Sequence, residues 1–150
     1  MWRGMFCLKQ MEGGLEMTSK GTAAEGMLLK MLLKHGIEAE HGSPSRPGDI
    51  IVMPNVLIEI KDPMEKSFSF RSHSAKGEAQ WNALREKKEK FPWLEVYYVV
   101  RFARKEWRFY AFPTEPNPLK LKDGFGLTWL FNLLLSRQAA LMAAVGGDAV

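Results

Sequence analysis

The chain holds one cysteine, Cys7, among 150 residues. A lone thiol excludes an internal disulfide and a multi-cysteine metal site, and it suits a reducing compartment. No apolar run reaches the ~18 residues that a membrane-spanning helix needs, so no membrane partner is expected. The first residues lack the continuous apolar core of a signal peptide. The expectation is an intracellular protein, in the cytoplasm, at a nucleoid or in a viral replication setting. There is no internal repeat. Neither sign of charge dominates: the net charge is +4 and the pI about 9.2, which permits a nucleic-acid partner without requiring one. What is present is 46% hydrophobic and 25% charged, a globular composition long enough for one domain with its own core.

The chain is organised around residues 46–62. Ile50, Ile51, Val52 and Met53 form one apolar run, and Val56, Leu57, Ile58 and Ile60 form the next. Pro54-Asn55 between them is turn chemistry, so the stretch reads as a β-hairpin. Three charges enter it: Asp49 at the mouth of the first strand, then Glu59 and Lys61 inside the second. Side chains reverse face at each step of a strand, so Glu59 and Lys61 share a side. Buried charges are costly unless paired or bound to metal. Two carboxylates make a hard oxygen site for Mg²⁺, and a lysine one strand-step away can orient a water or neutralise phosphate charge. The chemistry that fits is metal-assisted phosphodiester hydrolysis. The alternative is a solvent-facing ion pair on an edge strand.

Residues 1–17 show no clear period and read as a loose extension; residues 18–145 form the domain, and residues 146–150 are expected to fray. Thr18-Ser19 are N-cap candidates for a helix that Gly36 stops. On it, Glu25 projects among Leu28, Leu29 and Leu32, either as a third acid of the site or as an edge residue reaching for water. Residues 37–40 read as a short strand. The loop before Asp49 offers Ser43, Ser45 and Arg46 to a phosphate, or serves only as a turn. Residues 64–77 read as a basic and aromatic loop with Lys66, Arg71, His73 and Lys76. Its Phe68 and Phe70 either stack on bases or tuck into the core. A second helix covers 77–91, with Gln80 near its start facing the site or simply the surface. A second hairpin covers 93–102 and 106–112, turning at 103–105. A last helix covers 124–144. It is apolar nearly all round at Leu133, Leu134 and Leu135, and so must be covered by the sheet or by another copy.

With these residues in view, the chain resembles the PD-(D/E)xK nuclease superfamily, and within it the archaeal-type Holliday-junction resolvases. The resemblance rests on Lys20-Gly-Thr-Ala-Ala-Glu25, similar to that family's Lys-Gly-x-x-Ala-Glu. It continues through the serine loop at 43–45, Asp49, Ile58-Glu59-Ile60-Lys61 and Trp107-Arg108-Phe109, and spans about residues 19–135. The Pro-Asp of the superfamily name stands here as Pro47-Gly48-Asp49. A cellular and a phage- or virus-encoded member fit it equally. The resemblance implies a restriction-endonuclease-like α/β domain, a central mixed five-stranded sheet flanked by helices. It implies a homodimer that binds four-way DNA junctions by shape and nicks two opposing strands with Mg²⁺ or Mn²⁺. Glu25, Asp49 and Glu59, together with Ile60, would hold the metal. Lys61 would position or activate water, and Ser45 would assist near the phosphate. The candidate DNA contacts are Lys20, Arg46, Lys66, Arg71, Lys76 and Gln80. Two rival readings stay open: a nuclease of the same superfamily acting on flaps, damaged DNA or restriction sites, and a non-catalytic junction-binding architectural dimer.

Overall fold

The two apolar runs of the first hairpin become strands because each alternates between two buried faces. The structure, a computed structural model, describes residues 20–44, 46, 48–71 and 76–149. Helix α1 (Lys20–Lys34) leads through β1 (Ala39–His41) and β2 (Ile50–Val52) to β3 (Val56–Lys61). Strand β4 (Ser67–Phe68) precedes α2 (Gly77–Lys90), β5 (Glu95–Phe102) and β6 (Glu106–Ala111). Strand β7 (Leu119–Lys120), a short 3-10 turn (Leu121–Asp123) and α3 (Leu127–Ala149) complete the chain.

The main sheet has the order β1-β2-β3-β5-β6. Only β3 and β5 run parallel; the other neighbours are antiparallel. A parallel neighbour needs a crossover, and α2 lies within it. The mixed five-stranded sheet with flanking helices is the expected architecture.

Period-two alternation assigns each face. Val56, Ile58 and Ile60 pack with Leu28, Leu32, Val99, Leu130 and Leu134 on the side of α1 and α3. Leu57 packs on the other side with Phe70, Trp81, Leu84, Tyr98 and Val100, beneath α2. Glu59 and Lys61 alternate onto that second face.

Several boundaries differ from expectation. The proposed caps Thr18 and Ser19, and the extension over 1–17, lie outside the described residues. Gly36 does end α1, with φ +80°. The first strand begins at Ala39 rather than 37, because Ile37 is buried as a plug and Gln138 of α3 bonds both main-chain groups of Glu38. Phe68 and Phe70 take the core alternative, at 3% and 1% exposure. The stretch from 64 is therefore not wholly loop: β4 pairs with β7 in a two-stranded ribbon. Gly124 and Phe125 do not open the last helix. Phe125 instead bridges to Phe109, and α3 starts three residues later and runs on to Ala149, past the expected end near 144.

Candidate active site

Asp49 sits where β2 leaves the hairpin ladder. Its N–H still donates to the Ile58 carbonyl at 2.8 Å. Its Oδ2 then accepts the N–H of Ile60 at 2.7 Å, so the side chain continues a ladder that the main chain has left. This anchors the carboxylate at the open edge of β3, beside Glu59.

Glu59 is 4% exposed on β3. Two donors make its burial tolerable. Lys61 Nζ lies 3.1 Å from Oε2, and the N–H of Gly48 donates to the carboxylate. Gly48 holds φ +99° and approaches the Leu57 side chain, so a β-carbon there would be both strained and crowded. Burial first, and then the charge of Asp49, push the Glu59 carboxyl up to about 7, while Lys61 pulls it back. Asp49 is also raised, mainly by burial, against the Ile60 hydrogen bond and Lys61.

Lys61 is held from three sides. It bonds Glu59, donates to Gln80 Oε1 of α2, and lies 5.6 Å from the ring centre of Phe68. Gln80, which the sequence leaves between site and surface, faces Lys61. Tyr98 stands opposite Glu59 in the β3–β5 register. Burial and the charges of Glu59 and Asp49 push its hydroxyl upward, and that buried oxygen has no hydrogen-bond partner among the described residues.

Glu25 arrives from α1, on the opposite face of the sheet. It accepts from His41 Nδ1 at 2.5 Å. Its carboxyl is raised by burial, lowered by His41, and raised again by Asp49. The acids therefore form a chain with Asp49 in the middle. Among the described residues no three Asp, Glu, His or Cys side chains close into a ready-made metal cage. The donor chemistry nonetheless fits a hard cation. Every donor is oxygen, and buried carboxylates that repel one another are relieved by positive charge.

The other candidates are scattered. Arg46 is exposed in the bend before Asp49. Lys66 and Lys76 are exposed. Arg71 forks onto Glu78 at 3.0 and 3.2 Å. Lys20 opens α1. Ser45 and His73 lie outside the described residues. His41 and Gly48 are hydrogen-bond partners of the candidate acids that the sequence reading missed. Extending the alternation of the first strand by one residue places His41 on the α1 face, which was the available signal.

No protein-family model matches the chain, and no curated protein matches its sequence. Among solved structures it is similar to Archaeoglobus fulgidus Hjc, a Holliday junction resolvase from an archaeal hyperthermophile. The two are 25% identical; the match covers 76% of this chain and 97% of that one, with a TM-score of 0.59. No helix among the described residues is long and apolar enough to cross a membrane.

Proposed function

We propose that this chain is a structure-selective, metal-dependent endodeoxyribonuclease that acts as a homodimer on four-way DNA junctions. The observation that carries the reading is the buried Asp49–Glu59–Lys61 constellation at the mouth of the hairpin, in a fold similar to that of a Holliday junction resolvase. Asp49 and Glu59, with Glu25 and the carbonyl of Ile60, would hold Mg²⁺, for which Mn²⁺ substitutes. A bound magnesium ion supplies charge neutralisation at the phosphate and a more acidic water.

The chain's own residues do the rest. Lys61 Nζ faces the position beside Glu59, where it orients the attacking water and counters charge on the phosphate oxygens. Gln80 and Phe68 fix the lysine's head group, so its aim does not depend on a mobile side chain. His41 holds Glu25, which would exchange this partner for a shared cation. Ser45 and Arg46 precede Asp49 in the chain and would contact the phosphodiester. A two-fold dimer presents two such sites to a two-fold substrate, and cations spread over both copies would read its shape through phosphates.

The test is cleavage of an immobile four-way junction, with linear duplex and single-strand controls, in Mg²⁺ and in EDTA. Paired nicks that need metal and spare the duplex are expected. Asp49→Asn should abolish cutting while keeping junction binding, or tightening it as carboxylate–phosphate repulsion is removed. Equal cutting of linear duplex would overturn the substrate and keep the chemistry. Junction binding indifferent to EDTA, with no cutting in any metal, would favour an architectural protein.

A further inference from the structure

Outside the catalytic residues, a cleft of about 660 Å³ opens beside the β4–β7 ribbon, lined by Lys66, Lys120, Lys122 and Arg108 together with Ser67 and Gly124. Three exposed lysines and Arg108 around one hollow gather positive potential that a phosphate would complement. Two acids stand nearby: Glu106 lies 3.6 Å from Arg108, and the charge of Asp123, next to Lys122, raises the Tyr110 hydroxyl. Gly124 keeps the wall thin: a β-carbon there would stand 2.6 Å from the β-carbon of Arg108 and 2.7 Å from the Tyr110 ring. The opposite wall is equally fixed, because the Tyr110 hydroxyl donates to the Lys120 carbonyl at 2.5 Å.

The position of the cleft gives it meaning. Lys61 pairs with Val100 across β3–β5, and Val100 pairs with Arg108 across β5–β6. Register neighbours share a face, so Arg108 stands on the same side of the sheet as Lys61, two strand spacings or roughly 10 Å away. The ribbon joins the two places. Phe68 lies under the Lys61 ammonium, and the preceding Ser67 pairs with Lys120 at the cleft. One strand of DNA advances about 3.4 Å along its axis per phosphate, so ~10 Å corresponds to about three steps.

We propose that this cleft is a second phosphate site, which takes a backbone phosphate of the strand lying across the catalytic residues, a few nucleotides from the bond that is cut. The proposal rests on the nuclease reading for its ligand, but its test reads binding rather than cutting. Arg108 of Trp107-Arg108-Phe109 thereby gains a role, and Lys66 acts here rather than as an isolated surface contact.

The experiment measures the affinity of the full chain for a labelled four-way junction in EDTA over a range of NaCl. It compares wild type, the double variant Lys66→Ala/Lys120→Ala, and Lys30→Ala/Lys34→Ala on α1, the helix covering the other face. One lost phosphate contact lowers the slope of log K against log salt by about 1. That loss is expected in the cleft variant and absent from the α1 control. In Mg²⁺ the cleft variant should raise KM about tenfold and leave kcat within about twofold, because uniform binding is lost and the chemistry is not. A folded cleft variant with an unchanged slope and KM overturns the site; metal-dependent cutting by wild type would then still uphold the nuclease reading. A lost slope in a protein that never cuts keeps the phosphate site and overturns the nuclease. If calorimetry shows inorganic phosphate bound by wild type and lost in the variant while junction binding is unchanged, the cleft serves a small free phosphate, and the backbone assignment falls.

Discussion

Glu59 ionises at a cost, and that cost sets how the metal-free protein answers to pH. Its carboxyl is raised from 4.5 to about 7 by burial and Asp49. Between those values the folded state binds the extra proton. The stabilising contribution is therefore present below about 4.5 and is lost as pH rises through about 7. Asp49 and Glu25 shift in the same direction. The melting temperature of metal-free protein should fall from pH 5 to pH 8, and Mg²⁺ at pH 8 should restore it. Glu59→Gln should flatten this dependence, recover up to about 3 kcal/mol at pH 8, and lower cutting by at least about a hundredfold. A wild-type profile that is flat, or that rises with pH, would refute the assignment. A second buried charge calls for the opposite response. Arg101 grips Asp62 through Nε at 3.0 Å and Nη2 at 2.6 Å, with both side chains almost fully buried. Arg101→Met should cost about 3–5 kcal/mol by stranding Asp62, whereas Arg101→Met/Asp62→Leu should cost less. Chemical denaturation of the two variants checks both values. Of these residues, Glu59 and Lys61 were legible because a polar pair at period two inside an aliphatic strand contradicts its surroundings. Asp62 and Arg101 were not, since nothing local tells a buried ion pair from two surface charges 39 positions apart.

Elements were legible in proportion to how far local chemistry alone decides them. Both hairpins carried their turns in sequence. At the second, Ala103 and Arg104 adopt φ 52° and 60°, so even a turn without glycine formed where the two β runs required it. The β4–β7 ribbon was invisible. Each strand has two residues, too short for a period, and the pairing of Phe68 with Leu119 is decided by tertiary packing. The start of α3 was misread for a related reason. Gly124 and Phe125 look like a helix opening, but the Phe125 main chain bonds Phe109 in both directions, at 2.8 and 3.0 Å. Gly124→Ala tests this packing. The added carbon would collide with Arg108 and Tyr110, which their strand and the Lys120 hydrogen bond hold in place. A loss of about 1–3 kcal/mol is expected. A thermal melt unchanged from wild type would mean that the Phe109–Phe125 bridge is not rigid.

At the scale of the molecule, the strand order was the part that local pattern could not supply. The parallel step between β3 and β5 joins residues about forty positions apart, and the mixed sheet was expected only through the family resemblance. The over-apolar last helix, by contrast, was read from composition and now has a shape. Leu130 and Leu134 are buried against the sheet, but residues 139–146 are exposed without interruption. Met142, Val145 and Leu141 present 69%, 57% and 43% of their surface to water. This end of α3 overhangs the body by two turns of helix. Isolated helical turns are marginal in water, and an apolar overhang is a poor surface for a monomer. A second copy of the chain is the partner that the proposed two-fold substrate calls for. Sedimentation should show a dimer for wild type. Met142→Glu/Val145→Glu should give a monomer whose melting temperature falls by no more than the loss of the dimer interface explains, since these side chains lie outside both cores. That monomer should still nick a junction with Mg²⁺, but on one strand per encounter, so that paired nicks disappear while single nicks persist. A wild-type monomer, or a variant that stays dimeric, would remove α3 from the interface. Loss of single nicks along with paired ones would mean instead that each active site is incomplete without its partner.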